Sequence, residues 1–74
     1  MMLTKNQNNL ISALAEADID EELTCAIVMG MEDEQMPILT EYIRDELKEE
    51  GKVTEEKVVD AMLFIKGELE IEDD

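Results

Sequence analysis

The 74 residues contain no His and no Trp, and Cys, Pro, Ser, Tyr and Phe occur once each. Without His, neither a Ser-His-Asp triad nor a Cys-His pair can be assembled. Zinc likewise loses its usual nitrogen and sulfur ligands. The single Cys25 excludes an intramolecular disulfide and points to a reducing compartment, with the cytoplasm as the expected location. Lying in the most apolar stretch, with no cation near it in sequence, it reads as a small buried hydrophobe rather than a reactive thiol. Long apolar runs are missing too: residues 25–29, extended through Gly30 to Met31, fall far short of the roughly 20 residues a membrane span needs. Residues 1–9 carry one Lys and no apolar segment, so they do not read as a secretory signal.

Positive charge is the other scarcity. Six basic residues face 21 acidic ones, for a net charge of -15 and a pI near 4.1. The excess is spread along the chain, with -4 over residues 1–31, -6 over 32–50 and -5 over 51–74. Nucleic acid and anionic membrane both demand clustered Lys and Arg, so neither is expected as a direct partner.

What is present is helical periodicity. A chain this short is one domain, and folded chains of this size bury only roughly 60% of their unfolded surface. Four periodic stretches predict an all-α, compact bundle of four short helices over approximately 4–17, 20–31, 35–50 and 55–67, with an acidic tail over 68–74. Thr4-x-x-Gln7 has the form of a capping box, and Leu10, Leu14 and Ala17 follow on one face, with Leu3 above them. An Asp in the 17–20 segment caps helix two, and Glu21 and Glu22 suit its positive end. Apolar residues of helix two point in every direction, as expected of a surrounded, central helix. A five-residue strand over 25–29 competes, but no second strand is at hand to pair with it. Pro37 belongs in the first turn of helix three, whose stripe is Met36, Leu39, Ile43 and Leu47, widened by Ile38 and Tyr42. Gly51 fits the left-handed position that ends this helix, and Thr54 opens helix four. Gly67 is expected to fray that helix.

Helix four carries Val58, Met62, Ile65 and Leu69 on one face and Val59, Leu63 and Phe64 off it, an arc wider than one neighbour would cover. Either it is wedged between two helices or it offers an interface to a partner or a second copy. Val59, Leu63 and Phe64, with Met29 or Met31, are the candidate contact residues.

Carboxylates raise the question of metal and acid-base chemistry. Asp18-Ile19-Asp20-Glu21-Glu22-Leu23 begins like a calcium loop, but Leu23 stands where the loop needs its sixth-position Gly. Paired carboxylate catalysis needs one group in a desolvated cleft, and a bundle this small has little room for one. No catalytic residue, metal or cofactor is expected. In size and charge the chain resembles acyl carrier proteins. That family attaches its prosthetic group to a Ser in an Asp-Ser-Leu setting at a helix start, whereas Ser12 stands within Leu-Ile-Ser-Ala-Leu, so a working carrier is not implied. Met29-Gly30-Met31 with the following acids, and Val58-Val59-Asp60-Ala61-Met62-Leu63 later, resemble a ubiquitin-associated three-helix domain, although residues 36–50 are too long for that pattern. Helices two and three could also form a helix-turn-helix, but the acidic start of helix three has the wrong sign for phosphates.

Two functions are therefore carried forward. The first is a noncatalytic protein-protein interaction or regulatory module acting on an unknown protein partner or, as a homodimer, on itself. The second is a nucleic-acid mimic that occupies a basic cleft on another protein. For the second, Glu34, Glu41, Asp45 and Glu49 form the candidate acidic face, a like-charge spacing that is locally unfavourable unless Arg44 and Lys48, interleaved with it, relieve the repulsion.

Overall fold

Local sequence starts and stops each helix. In the computed structural model, which describes residues 2–70 with side chains to Gly67, helix α1 spans Lys5–Glu16. Thr4 Oγ1 accepts from the Gln7 amide at 3.1 Å, and Gln7 Oε1 accepts from the Thr4 amide at 2.8 Å. This reciprocal pair satisfies two backbone donors that the helix itself cannot. At the other end Asp18 adopts φ 62. Its amide donates to the Ala15 carbonyl and the Ile19 amide to the Leu14 carbonyl, both at 3.0 Å. These are the two bonds of a Schellman closure, which normally places Gly where Asp18 stands. Ile19 is buried, as is Leu14, and seals the end of the helix.

Two residues later the same segment starts helix α2, Glu21–Gly30. The Asp20 carboxylate accepts from the amides of Glu22 and Leu23 at 3.0 and 3.4 Å, and the Asp20 amide donates to Glu55 Oε2 at 3.2 Å. A 3₁₀ turn, Asp33–Gln35, follows. Gln35 is 1% exposed, and its Oε1 accepts from the Glu32 amide at 2.9 Å, which satisfies an otherwise costly buried amide oxygen. Asp33 ties the turn to α1: it accepts from the Thr4 hydroxyl at 2.7 Å and from Asn6 Nδ2 at 2.9 Å.

Helix α3, Met36–Glu50, has Pro37 in its first turn and ends at Gly51, whose φ of 82 lets its amide reach the Leu47 carbonyl at 3.0 Å. Helix α4 spans Glu55–Glu70 and is capped by Thr54 Oγ1, which accepts from the Lys57 amide at 3.2 Å. The architecture is an all-α bundle of four helices. Its radius of gyration is 12.0 Å, close to the roughly 11 Å of a compact chain this long.

Helix α3 is the central element, packed against α1 on one side and α4 on the other. Leu10, Ala13 and Leu14 of α1 meet Leu39 and Ile43 of α3, with Ile27, Val28, Met31, Met36, Val53, Val58 and Ile65 completing the core. The expectation that helix two is surrounded is therefore corrected. Ile27 and Val28 are buried, whereas Cys25, Ala26 and Met29 are exposed, because α2 packs chiefly on α1. Cys25 is accordingly a surface thiol and not a buried hydrophobe. Helix four is not wedged either: Val58 and Ile65 are buried while Leu63 and Phe64 face outward. Gly67 lies inside α4, which continues to Glu70. Of the expected acidic tail, residues 71–74 lie outside the described residues.

Candidate interaction surfaces

Two apolar grooves open on different sides of the bundle. The first runs between α3 and α4, with a volume of about 590 Å³. Ile38 and Tyr42, one turn apart on α3, form one wall, and Lys57, Asp60, Ala61 and Phe64 of α4 form the other. Leu39 and Ile43 occupy the buried stripe of α3, and of its wider arc Tyr42 is half-buried against the core while Ile38 is left on the surface. Phe64 is 68% exposed and Ile38 45%.

Carboxylates border this groove. Glu41 and Ile38 also line the adjoining depression toward α1, so the acidic row on α3 abuts the apolar wall. Glu41, Asp45 and Glu49 recur every four residues on α3, and all are exposed. Glu34 is exposed as well but precedes the helix, on the 3₁₀ turn. Arg44, interleaved with the row in sequence, reaches across to Glu16 of α1 at 3.5 Å. Lys57 in the α4 wall pairs with Glu46 of α3 at 3.2 Å. That hydrogen bond, with the Glu46 charge and weaker help from Tyr42 and Glu50, raises the Lys57 pKa above its ordinary value against slight desolvation. Its charge is thus matched within the protein. Asp60, Glu41, Asp45 and Glu49 have no such side-chain partner among the described residues.

The second groove lies between α1 and α2 and has a volume of about 660 Å³. Gln7, Ile11 and Ala15 face Thr24, Val28 and Met29 across it, with Leu3 and Ile19 at its ends. Met29 is 80% exposed. The Cys25 thiol donates to its sulfur at 3.8 Å.

The five residues expected to share an apolar interface are not one surface. Phe64 lines the α3–α4 groove and Met29 the α1–α2 groove, while Leu63 is exposed outside both. Val59 is half-buried. Met31, at 7% exposure, belongs to the core: it follows the last residue of α2, where the chain turns inward toward the 3₁₀ turn. Sequence reasoning did not assign Ile38 and Tyr42 to a site, although the width of the α3 arc was the available signal. The link between α2 and α4 was also missed: Lys66 Nζ donates to the Gly30 carbonyl at 2.7 Å, a cation on the negative end of α2.

Among the described residues no group of three or more side chains is arranged to hold a metal ion. No described helix is long and apolar enough to cross a membrane. No family model, no curated protein and no solved structure matches this chain.

Proposed function

We propose that the chain is a noncatalytic protein-interaction module of the reducing cytoplasm, which docks a basic, apolar-faced helical segment of a partner protein along the α3–α4 groove. One observation carries the reading: an apolar strip of exposed Ile38 and Phe64 with half-buried Tyr42 between them runs beside Glu41, Asp45 and Asp60, carboxylates without a side-chain partner among the described residues. Burial of the strip supplies affinity, and the carboxylates supply orientation and encounter rate. A basic amphipathic helix meets both demands at once, because its apolar stripe and its flanking Lys or Arg repeat with the same period as the groove walls.

The test uses a synthetic amphipathic helix of Leu and Lys, about as long as α4. Titrated into isotope-labelled protein, it should shift the amides of residues around Ile38 and Phe64 and leave the α1–α2 face unchanged. Phe64→Ser should weaken binding about tenfold or more, from the roughly 1.5–3 kcal/mol gained by burying a large apolar side chain. Shifts spread evenly over the acidic surface and indifferent to Phe64 contradict the reading.

A second reading, nucleic-acid mimicry, is favoured by the geometry of the row on α3. Glu41, Asp45 and Glu49 rise about 6 Å per step along the helix, and Arg44 is directed away to Glu16. Mimicry requires these three carboxylates and does not require Phe64. Binding to a basic nucleic-acid-binding protein that is lost in the triple Gln variant, yet kept in Phe64→Ser, selects it.

A further inference from the structure

Among the described residues, charge is sparse on one face of this very acidic molecule. Residues 6–15 and 23–31 contain no charged side chain, although 36% of the whole chain is charged. These two stretches make up most of α1 and α2, and they supply both walls of the α1–α2 groove, where Glu21 at one end is the sole charged lining residue among the described residues. A surface of this kind is a poor seat for a basic partner, since it has almost no carboxylate to offer. It is also the face on which a second molecule of net charge -15 can come close without placing carboxylate against carboxylate.

We infer that the α1–α2 face is a self-pairing surface, across which two copies of this chain join about a two-fold axis with Met29 of each seated in the groove of the other. A two-fold interface uses the same patch twice, so the patch must carry both the projection and the recess that receives it. Met29 is the projection, and the adjoining channel floored by Ile11, Ala15 and Val28 is the recess. An unbranched thioether adapts readily to such a channel. Of the other exposed α2 side chains that line the groove, Cys25 is small and uncharged and permits close approach of the two helices, while Glu21 stands at one end. A short chain with a thin core also gains most from burying further apolar surface.

Self-pairing of like-charged molecules has a distinctive salt response. Added salt screens the long-range repulsion, so the dimer should tighten as salt rises, whereas a complex with a basic partner should loosen. Sedimentation equilibrium at about 0.02 M and about 0.5 M NaCl reads this directly. Wild type should be dimeric at the higher salt. Met29→Asp should weaken the dimer about a hundredfold, because the lost burial and the added charge are felt twice in a symmetric pair. Met29 is exposed, so this variant keeps its fold. Phe64→Asp should leave the dimer intact, which separates this inference from the α3–α4 reading. In parallel, a short bifunctional maleimide should join two copies through Cys25 in wild type and fail to do so in Met29→Asp. A wild type that stays monomeric at high protein concentration and 0.5 M salt overturns the inference, as does a dimer that survives Met29→Asp.

Discussion

Asp18 offers the sharpest test of how the bundle is closed. It sits in the left-handed region with φ 62, between two amides that complete the end of α1. For an L residue the left-handed conformation costs about 1–2 kcal/mol relative to the right-handed helix. Gly avoids that cost but gives the unfolded chain more freedom, worth about 0.4–1 kcal/mol in the opposite direction. Asp18→Gly should therefore stabilise the protein by about 0.5–1 kcal/mol. At about 4–8 °C per kcal/mol for a domain of this size, Tm should rise by about 2–8 °C. Asp18→Ala retains the Cβ and loses the carboxylate that helps Asp tolerate this conformation, so it should melt below wild type. Asp18→Asn removes the charge while keeping a side chain suited to the left-handed region, and isolates the electrostatic part. Thermal unfolding followed by far-UV circular dichroism measures all three. If Asn raises Tm as much as Gly does, charge and not backbone conformation governs the site and the reasoning fails.

Other consequences follow from single side chains. Thr40 is 8% exposed, and its hydroxyl has no hydrogen-bond partner among the described residues. Thr40→Val keeps the shape, removes the unsatisfied group and should stabilise by about 1 kcal/mol in denaturant melts; a loss of stability would mean that the hydroxyl is satisfied in solution. Lys66→Met breaks the bond to the Gly30 carbonyl and should cost about 1 kcal/mol while speeding hydrogen exchange in the last turn of α2. Unchanged exchange there would show that Lys66 does not hold α2. The Lys57 pKa is raised in the folded protein, so its contribution is fully present below the unfolded lysine pKa and is lost as pH rises through the folded value. Lys57→Gln should flatten the alkaline limb of the stability profile; an equally steep alkaline limb contradicts the assignment.

Punctuation was legible in the sequence because capping is local chemistry. Thr4 with Gln7, Asp20, Pro37, Gly51 and Thr54 each act within one turn of where they stand. The end of α1 near residue 17 was legible too, but the separate roles of Asp18 and Asp20 were not, because an Asp in the left-handed position and an Asp capping the next helix look alike in sequence. Burial along α2 was hidden for a different reason. An apolar run states what a helix could bury, and only the neighbours decide what it does bury. Cys25, Ala26 and Met29 are exposed because α3, not α2, took the central position. The same reason placed Met31 in the core and left Phe64 outside it. Each groove is walled by two successive helices, so its lining could not be assembled from the stripe of one helix. The acidic row on α3 was readable as a period of four. Its contiguity with Ile38 and Tyr42 needed the packing.

A double-mutant cycle on the α3–α4 groove tests whether apolar burial and charge act there together. Calorimetric titration of the Leu/Lys helix into wild type, Phe64→Ser, the Glu41→Gln, Asp45→Asn, Asp60→Asn variant, and the combination separates apolar from electrostatic contributions. Each set should weaken binding, the acidic set should also abolish most of the salt dependence, and Phe64→Ser should leave that salt dependence in place. Equal affinity of wild type and Phe64→Ser at every salt concentration would contradict apolar docking in the groove.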